Sequence, residues 1–340
     1  MDVKTIKQRI MNKAILLANR PVGKPAESDF KFEEIDMPEA KDGELLLKTT
    51  YVSVDPYLRG RMTDAKSYVP PFELNEPMSS AIIAEVTASN NPDFKAGDYV
   101  TAGLAWKLYQ TSNGKGLTKV DPSVGLSAYL GVLGMTGLTA LMGLQEIGKP
   151  KTGETLVVSG AAGAVGSVVG QIGKILGCKV IGIAGSDEKT ALLKSKFGFD
   201  EAINYKTTKN MQEAIAAAAS DGVDIYFDNV GGDISDAVIF NMNKWGRIAI
   251  CGTISSYNDT EASQGPRLQP YLLKNSMLMQ GFIVSNYAER FPEGIKQLSD
   301  WLKAGKLQHA ETIVDGFEQI PEAFMDLFEG INEGKMVVKI

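Results

Sequence analysis

Glu154-Thr-Leu-Val-Val-Ser-Gly-Ala-Ala-Gly-Ala-Val-Gly-Ser-Val-Val-Gly-Gln-Ile-Gly-Lys174 joins a short apolar, β-branched run to a tight Gly/Ala turn and then to a stretch with helical spacing. Strand, turn and helix in that order suit a dinucleotide pyrophosphate. Gly160, Gly163 and Gly166 let the backbone turn sharply, approach phosphates with no Cβ in the way and pack the new helix on its strand. The helix start around Ala164, Val165 and Gly166 offers free N–H groups and the positive end of a dipole. Ala161 stands where the strict G-x-G-x-x-G pattern has its first glycine. Positions 155 to 173 carry no charge, but their glycines hold the average hydrophobicity below that of a membrane span. About twenty residues further on, a NAD-binding unit places an acid on the ribose 2′-hydroxyl. Here Lys179-Val-Ile-Gly-Ile-Ala-Gly185 has none, and Ser186, Lys189 and then Tyr205 follow in places suited to a 2′-phosphate. The expected cofactor is NADP(H).

Working outward, strand candidates at 155–159, 179–184, 201–204, 223–228, 246–251 and 279–284 alternate with helix candidates at 164–176, 187–197, 209–219, 233–243, 267–275 and 291–304. Repeated β-α alternation implies a doubly wound parallel sheet. From Ala14 to about Val100 the runs are instead short and alternating, broken by turn residues such as Asn91-Pro-Asp-Phe-Lys-Ala-Gly97, which reads as a β-rich domain. After Gly305 the character is mixed again, with Ala310-Glu-Thr-Ile-Val, a helix near 320–329 and Lys335-Met-Val-Val-Lys-Ile340. The predicted domains are 1–130 completed by 306–340, and 131–305.

The chain's 340 residues, 44% apolar, suffice for two globular domains. A net charge of −6 argues against nucleic acid as a partner, which needs clustered Lys and Arg. Met1–Ile10 lacks the apolar core of a signal peptide, so a cytoplasmic location is expected, and the basic start, Lys4, Lys7, Arg9 and Lys13, reads as a solvated arm. Cys178 and Cys251 are read as packing residues. With His309 as the one histidine and two cysteines, neither a Cys/His zinc site nor a His-based triad can be assembled, so no metal is expected and His309 takes no role.

Val52-Ser-Val-Asp-Pro-Tyr-Leu-Arg-Gly-Arg61, Gly131-Val-Leu-Gly-Met-Thr-Gly-Leu-Thr-Ala140, the turn from Gly160 to Gly170, Tyr226-Phe-Asp-Asn-Val-Gly-Gly232, Cys251-Gly-Thr-Ile-Ser-Ser-Tyr-Asn258, Gly281-Phe-Ile-Val284 and Asn332-Glu-Gly-Lys335 occur in one order. Together they resemble the zinc-free medium-chain dehydrogenase/reductases, in the branch of the leukotriene hydroxydehydrogenase/prostaglandin reductases and the bacterial curcumin reductases. The resemblance spans about positions 11 to 340. It implies an α/β protein with a GroES-like β-rich substrate domain and an inserted Rossmann domain, a homodimer joined through the Rossmann sheets, and reduction by NADPH of a carbon–carbon double bond conjugated to a ketone or aldehyde. It also implies that the backbone of Phe282 and Val284 meets the nicotinamide amide and that Asn332 reaches the cofactor.

Hydride addition to an enone leaves an enolate, so the site needs a hydrogen-bond donor more than a strong base. Without a usable histidine, tyrosine is the natural donor, and Tyr57, Tyr68 and Tyr257 lie in the family-like segments. Tyr257 follows a strand at the carboxyl side of the sheet, where ligands bind in such folds. Tyr57 would help to orient the substrate, and Tyr68 fits an aromatic wall as well as a donor. Asp55 and Arg59 read as a turn starter and its partner. Thr136 could touch the nicotinamide or be an ordinary helix-start hydroxyl; Asn229, Cys251 and Gly252, at strand ends, are further cofactor candidates. The expected partner is a small hydrophobic enone, enal or quinone, with no nucleic acid and no membrane. A quinone reductase and a non-enzymatic NADPH-binding module remain the alternatives.

Overall fold

The computed structural model describes residues 11–340. The basic residues Lys4, Lys7 and Arg9 therefore lie outside the described residues. The chain forms two compact units, the first reaching Ser127 and including 314–325 and 337–340, the second comprising 128–313 and 326–336.

The first unit is built from strands. β1 (Asn12–Leu17) pairs antiparallel with β2 (Phe30–Ile35). β3 (Leu45–Ser53) is followed by the short helix α1 (Leu58–Arg61), then β4 (Ser79–Ser89), β5 (Tyr99–Ala105), β6 (Tyr109–Ser112) and β7 (Thr118–Val120). β3, β4, β5 and β7 are antiparallel neighbours in that order, and β6 also pairs with β3. Alternating positions such as Leu45, Leu47, Ile82, Ala84 and Val86 are fully buried, as period-two patterning requires. Trp106 is buried among them, and its indole nitrogen donates to Ser80 Oγ at 2.8 Å. Lys13, read from sequence as part of a solvated arm, sits instead in β1 and pairs with Glu318 at 2.6 Å.

The second unit opens with α2 (Met135–Met142), continued by a wider turn over Gly143–Gly148. The sequence marks the start of this helix at Thr136 but not its extent: Thr136, Gly137, Leu138, Ala140, Leu141 and Met142 are buried, and Met135 and Thr139, four residues apart, form its one less buried face. The alternation then runs β8 (Thr155–Ser159), α3 (Gly166–Ile175), β9 (Lys179–Ala184), α4 (Asp187–Ser195), β10 (Glu201–Asn204), α5 (Met211–Ala218), β11 (Val223–Asp228), α6 (Gly232–Ile239), β12 (Met242–Ile250), α7 (Gln269–Asn275), β13 (Leu278–Gly281) and α8 (Phe291–Lys303). The sheet is parallel in the order β10-β9-β8-β11-β12-β13, so the strand order reverses direction at β8. β8 is buried at every position, the pattern of a strand covered on both faces.

After 305 the chain forms β14 (Glu311–Asp315), α9 (Ile320–Glu329) and β15 (Lys335–Lys339). Val337 to Lys339 pair antiparallel with β3, while residues just before them bond within the second unit: Gly334 N–H donates to the Ala162 carbonyl at 2.8 Å and Lys335 N–H to the Ala310 carbonyl at 2.9 Å. Among the described residues no helix is long and apolar enough to cross a membrane.

Candidate active site

The nucleotide turn leaves β8 at Ser159. Gly160 takes φ +58°, a left-handed conformation that glycine adopts without strain, and its carbonyl accepts the Gly163 N–H at 3.0 Å. A Cβ at Gly166 would stand 2.4 Å from that same carbonyl oxygen, so the first turn of α3 rests directly on the loop. The Ser167 N–H makes a helical bond back to Gly163, at 3.1 Å. The amides of Ala164, Val165 and Gly166 precede it, at the end of a helix where N–H groups lack intrahelical partners and the dipole is positive. The returning segment lies against this turn through Gly334, two residues beyond Asn332, whose side-chain amide donates to the Gly334 carbonyl at 2.8 Å.

To one side of the turn, β9 and β10 end together, with Ala184 opposite Asn204. Ser186 caps α4, accepting the Lys189 N–H at 3.2 Å. A side chain begun at Gly185 would meet the Tyr205 hydroxyl at 2.8 Å, which puts that phenol over the end of β9. Lys189 Nζ donates to the Gly330 carbonyl at 2.7 Å. Burial lowers its pKa and the Lys206 ammonium lowers it further, while Glu333 acts in the opposite sense. Lys206 is a cation of this corner that sequence reasoning missed; its place directly after Tyr205 was the available signal. Two ammonium groups that repel each other beside a phenol form a charge set that a 2′-phosphate would relieve.

On the other side, β11 and β12 end in a buried polar knot. The Asp228 carboxylate accepts from Ser159 Oγ at 3.0 Å, the Tyr226 hydroxyl at 2.8 Å and the Val230 and Gly231 amides, each at 2.9 Å. Asn229 spends its side-chain amide on the Ser159 carbonyl, at 2.7 Å, and so ties the β8 and β11 ends together. The Cys251 N–H donates to the Asp228 carbonyl at 2.8 Å. Burial and then Asp228 push the Cys251 thiol up to about 12, and burial pushes Cys178 up to about 11. Both stay protonated and weakly nucleophilic at neutral pH.

The chain then turns through Ile254–Ser256 and places Tyr257 back over Gly252, where an added Cβ would meet its hydroxyl at 3.0 Å. Burial raises the Tyr257 pKa and the facing Thr253 backbone N–H pulls it back, so the phenol is a proton-bearing donor at neutral pH. Phe282, at the end of β13, is buried and packs edge-on against Phe227; its N–H reaches the Ile250 carbonyl at 3.4 Å, and Val284 is half-buried two residues on.

Thr136 is the second residue of α2. Its side chain is 5% exposed and lies inside α2, and its Oγ1 is buried with no hydrogen-bond partner. A hydroxyl left so costs about 1–3 kcal/mol unless a ligand completes it. The glycine turn, whose backbone leaves no Cβ in the path of a pyrophosphate, accommodates a dinucleotide. Among the described residues no group of three His, Cys, Asp or Glu side chains forms a candidate metal site.

In the first unit, Tyr57 is half-buried at the start of α1, and Tyr68 is 62% exposed. Burial, then Asp55, raises the Tyr57 pKa, and Arg61 and Tyr68 also act on it. Arg59 is buried and donates to the Gly23 carbonyl at 2.8 Å and the Pro21 carbonyl at 3.3 Å, a structural role.

Residues 13–120 match a family model described as the N-terminal domain of oxidoreductase, and residues 164–300 match one described as zinc-binding dehydrogenase. The chain is 58% identical to YfmJ of Bacillus subtilis (strain 168), whose name assigns it provisionally to the NADP-dependent oxidoreductases, over 96% of this chain and 97% of that protein. It is 42% identical to the NADPH-dependent curcumin reductase of Escherichia coli (strain K12), over 98% of each. Among solved structures, that of CurA from Vibrio vulnificus in complex with NADPH superposes with a TM-score of 0.92 at 46% identity, covering 96% of this chain and 98% of that one.

Proposed function

Because the chain belongs to the zinc-free medium-chain dehydrogenase/reductase family, in the branch of the prostaglandin and curcumin reductases, we propose that it reduces the carbon–carbon double bond of α,β-unsaturated ketones and aldehydes. It is an NADP-dependent oxidoreductase. One observation carries the reading furthest. Across the carboxyl edge of the sheet, the Lys189, Tyr205 and Lys206 corner lies at β9 and β10, the glycine turn at β8, Asn229 at β11, and Gly252 with Tyr257 at β12. With strands roughly 4.8 Å apart, these stations span about 19 Å, in the order 2′-phosphate, pyrophosphate, nicotinamide.

Bound NADPH would supply a hydride to the β-carbon of the enone. The protein's part is to hold and polarise. The amides of Ala164, Val165 and Gly166 would receive the pyrophosphate, Lys189, Tyr205 and Lys206 the 2′-phosphate, and Thr136 Oγ1 would gain the partner it lacks. Phe282, Val284, Cys251, Gly252, Asn229 and Asn332 line the remaining contact. Tyr257 would donate its hydroxyl proton in a hydrogen bond to the carbonyl oxygen as enolate charge develops there, and Tyr57 would orient the substrate. We take the chain to work as a cytoplasmic homodimer, its two cysteines free thiols. Following NADPH oxidation over a panel of enones, enals and quinones tests the reading: enones and enals should turn over fastest, before and after dialysis against a chelator. Preference for quinones throughout the panel would replace it.

A further inference from the structure

The chain between α9 and β15 is pinned at three places, all within the second unit. At its start the Lys189 ammonium donates to the Gly330 carbonyl at 2.7 Å, and the Ile331 N–H bonds back to the Asp326 carbonyl in α9 at 3.3 Å. In its middle Glu333 makes both of its backbone bonds to one hydroxyl: its N–H donates to Thr312 Oγ1 at 2.9 Å, and its carbonyl accepts from the same oxygen at 3.0 Å. At its end Gly334 pairs with the nucleotide turn beside Gly163, and a Cβ at Gly334 would stand 1.9 Å from the Ala310 carbonyl oxygen, so nothing separates the segment from its neighbours there. Only the first of these pins carries a charge. Among the described residues the Lys189 ammonium makes one hydrogen bond, that to Gly330, and an ammonium has three N–H donors.

We propose that Lys189 links the 2′-phosphate of the cofactor to residues 330–334, so that a phosphate recognised at the adenosine end tightens the segment that lies on the pyrophosphate turn. The inference rests on reading the Lys189, Tyr205 and Lys206 corner as the 2′-phosphate site. Without a phosphate, burial disfavours the charged form of Lys189, Glu333 opposes that effect and Lys206 adds to it. A phosphate dianion on the two remaining N–H groups would hold the ammonium charged and fix its four-carbon stem, which otherwise loses rotamer freedom for the Gly330 bond alone. The side chain is then ordered once for two partners, and the second bond forms at a lower entropic cost. With NADH a ribose hydroxyl stands in place of the phosphate, and the segment gains nothing. Lys189 thus distinguishes the two cofactors by the firmness of the chain around Asn332 and Gly334 as well as by affinity.

Adenosine 2′,5′-bisphosphate and adenosine 5′-monophosphate differ only in the 2′-phosphate and provide the test, with amide hydrogen exchange over residues 331–335 as the readout. Each is used at the same high multiple of its dissociation constant, so that stabilisation of the whole fold is equal, and the α5 amides serve as reference. In the wild type the bisphosphate should slow exchange at Ile331, Glu333, Gly334 and Lys335 about threefold or more relative to the monophosphate, a fraction of the roughly tenfold or more of a complete charge-assisted bond. Lys189→Met should make the two nucleotides equivalent in this readout. Equal protection by both in the wild type overturns the proposal, and so does faster exchange with the bisphosphate, which would mean that the phosphate draws Lys189 away from Gly330. Titration of the same nucleotides decides the corner separately. If Lys189→Met keeps the full preference for the bisphosphate in binding, the 2′-phosphate lies elsewhere, and the corner reading falls first and takes the coupling with it.

Discussion

Tyr257 is the residue on which the proposed chemistry turns. Its hydroxyl lies against Gly252 at the end of β12, and its raised pKa keeps the proton available for donation. Removing an oxyanion donor typically costs roughly 2.7–4 kcal/mol. Tyr257→Phe should therefore lower kcat for the best enone at least about tenfold, and up to roughly a thousandfold, with NADPH affinity unchanged. Wild-type turnover in the phenylalanine variant would move the stabilising donor elsewhere. Thr136 permits a sharper separation. Replacing its unpartnered buried hydroxyl by the isosteric Thr136→Val removes a desolvated group, so the ligand-free protein should unfold about 2 °C or more higher. NADPH should at the same time bind roughly three- to tenfold more weakly. A stabilised variant with undiminished affinity would show that the hydroxyl faces no cofactor.

Selectivity for the 2′-phosphate belongs to elements rather than to one side chain, because β9, β10 and α4 must end at the same corner to bring Lys189, Tyr205 and Lys206 together. Lys189→Ala should weaken NADPH about ten- to a hundredfold and leave NADH nearly unchanged, as read by fluorescence titration. The pH dependence follows from the direction of the shift. Burial depresses the Lys189 pKa, Glu333 opposes the shift and Lys206 adds to it, so in the free protein its ammonium is lost at a lower pH than that of an exposed lysine. The preference for NADPH over NADH should shrink as alkaline pH is approached, and earlier in wild type than in Lys206→Gln. Equal losses for the two cofactors on Lys189→Ala would withdraw this corner from 2′-phosphate recognition.

Assembly is a property of the whole molecule. β13 is the edge of the parallel sheet, and around it Leu278 is 46% exposed, Leu273 82% and Trp245 65%. An unpaired edge with apolar neighbours is a template for another strand. If a second copy covers it, Leu278→Lys should convert a dimer to a monomer in sedimentation velocity while the fold, by circular dichroism, persists. A wild-type monomer would rule out the homodimer outright.

The β-α alternation from Thr155 onward was legible in sequence because each element carries its own signal: apolar β-branched runs for strands buried on both faces, and glycines where a backbone must approach another. The helix Ile320–Glu329 and the absence of an acid after β9 were legible for the same local reason. Of α2 only the start at Thr136 was legible, since a helix with just Met135 and Thr139 outside the buried set has too narrow a polar face to show a period. Nor could sequence distinguish Arg59, bonded to backbone carbonyls, from Arg61, whose charge meets no carboxylate. Thr136 gave no hint that its hydroxyl would be orphaned. Periodicity and glycine spacing report how each segment packs, which is a property of neighbours along the chain. Whether a polar group finds a partner depends on residues far away in sequence, and only the folded chain brings those together.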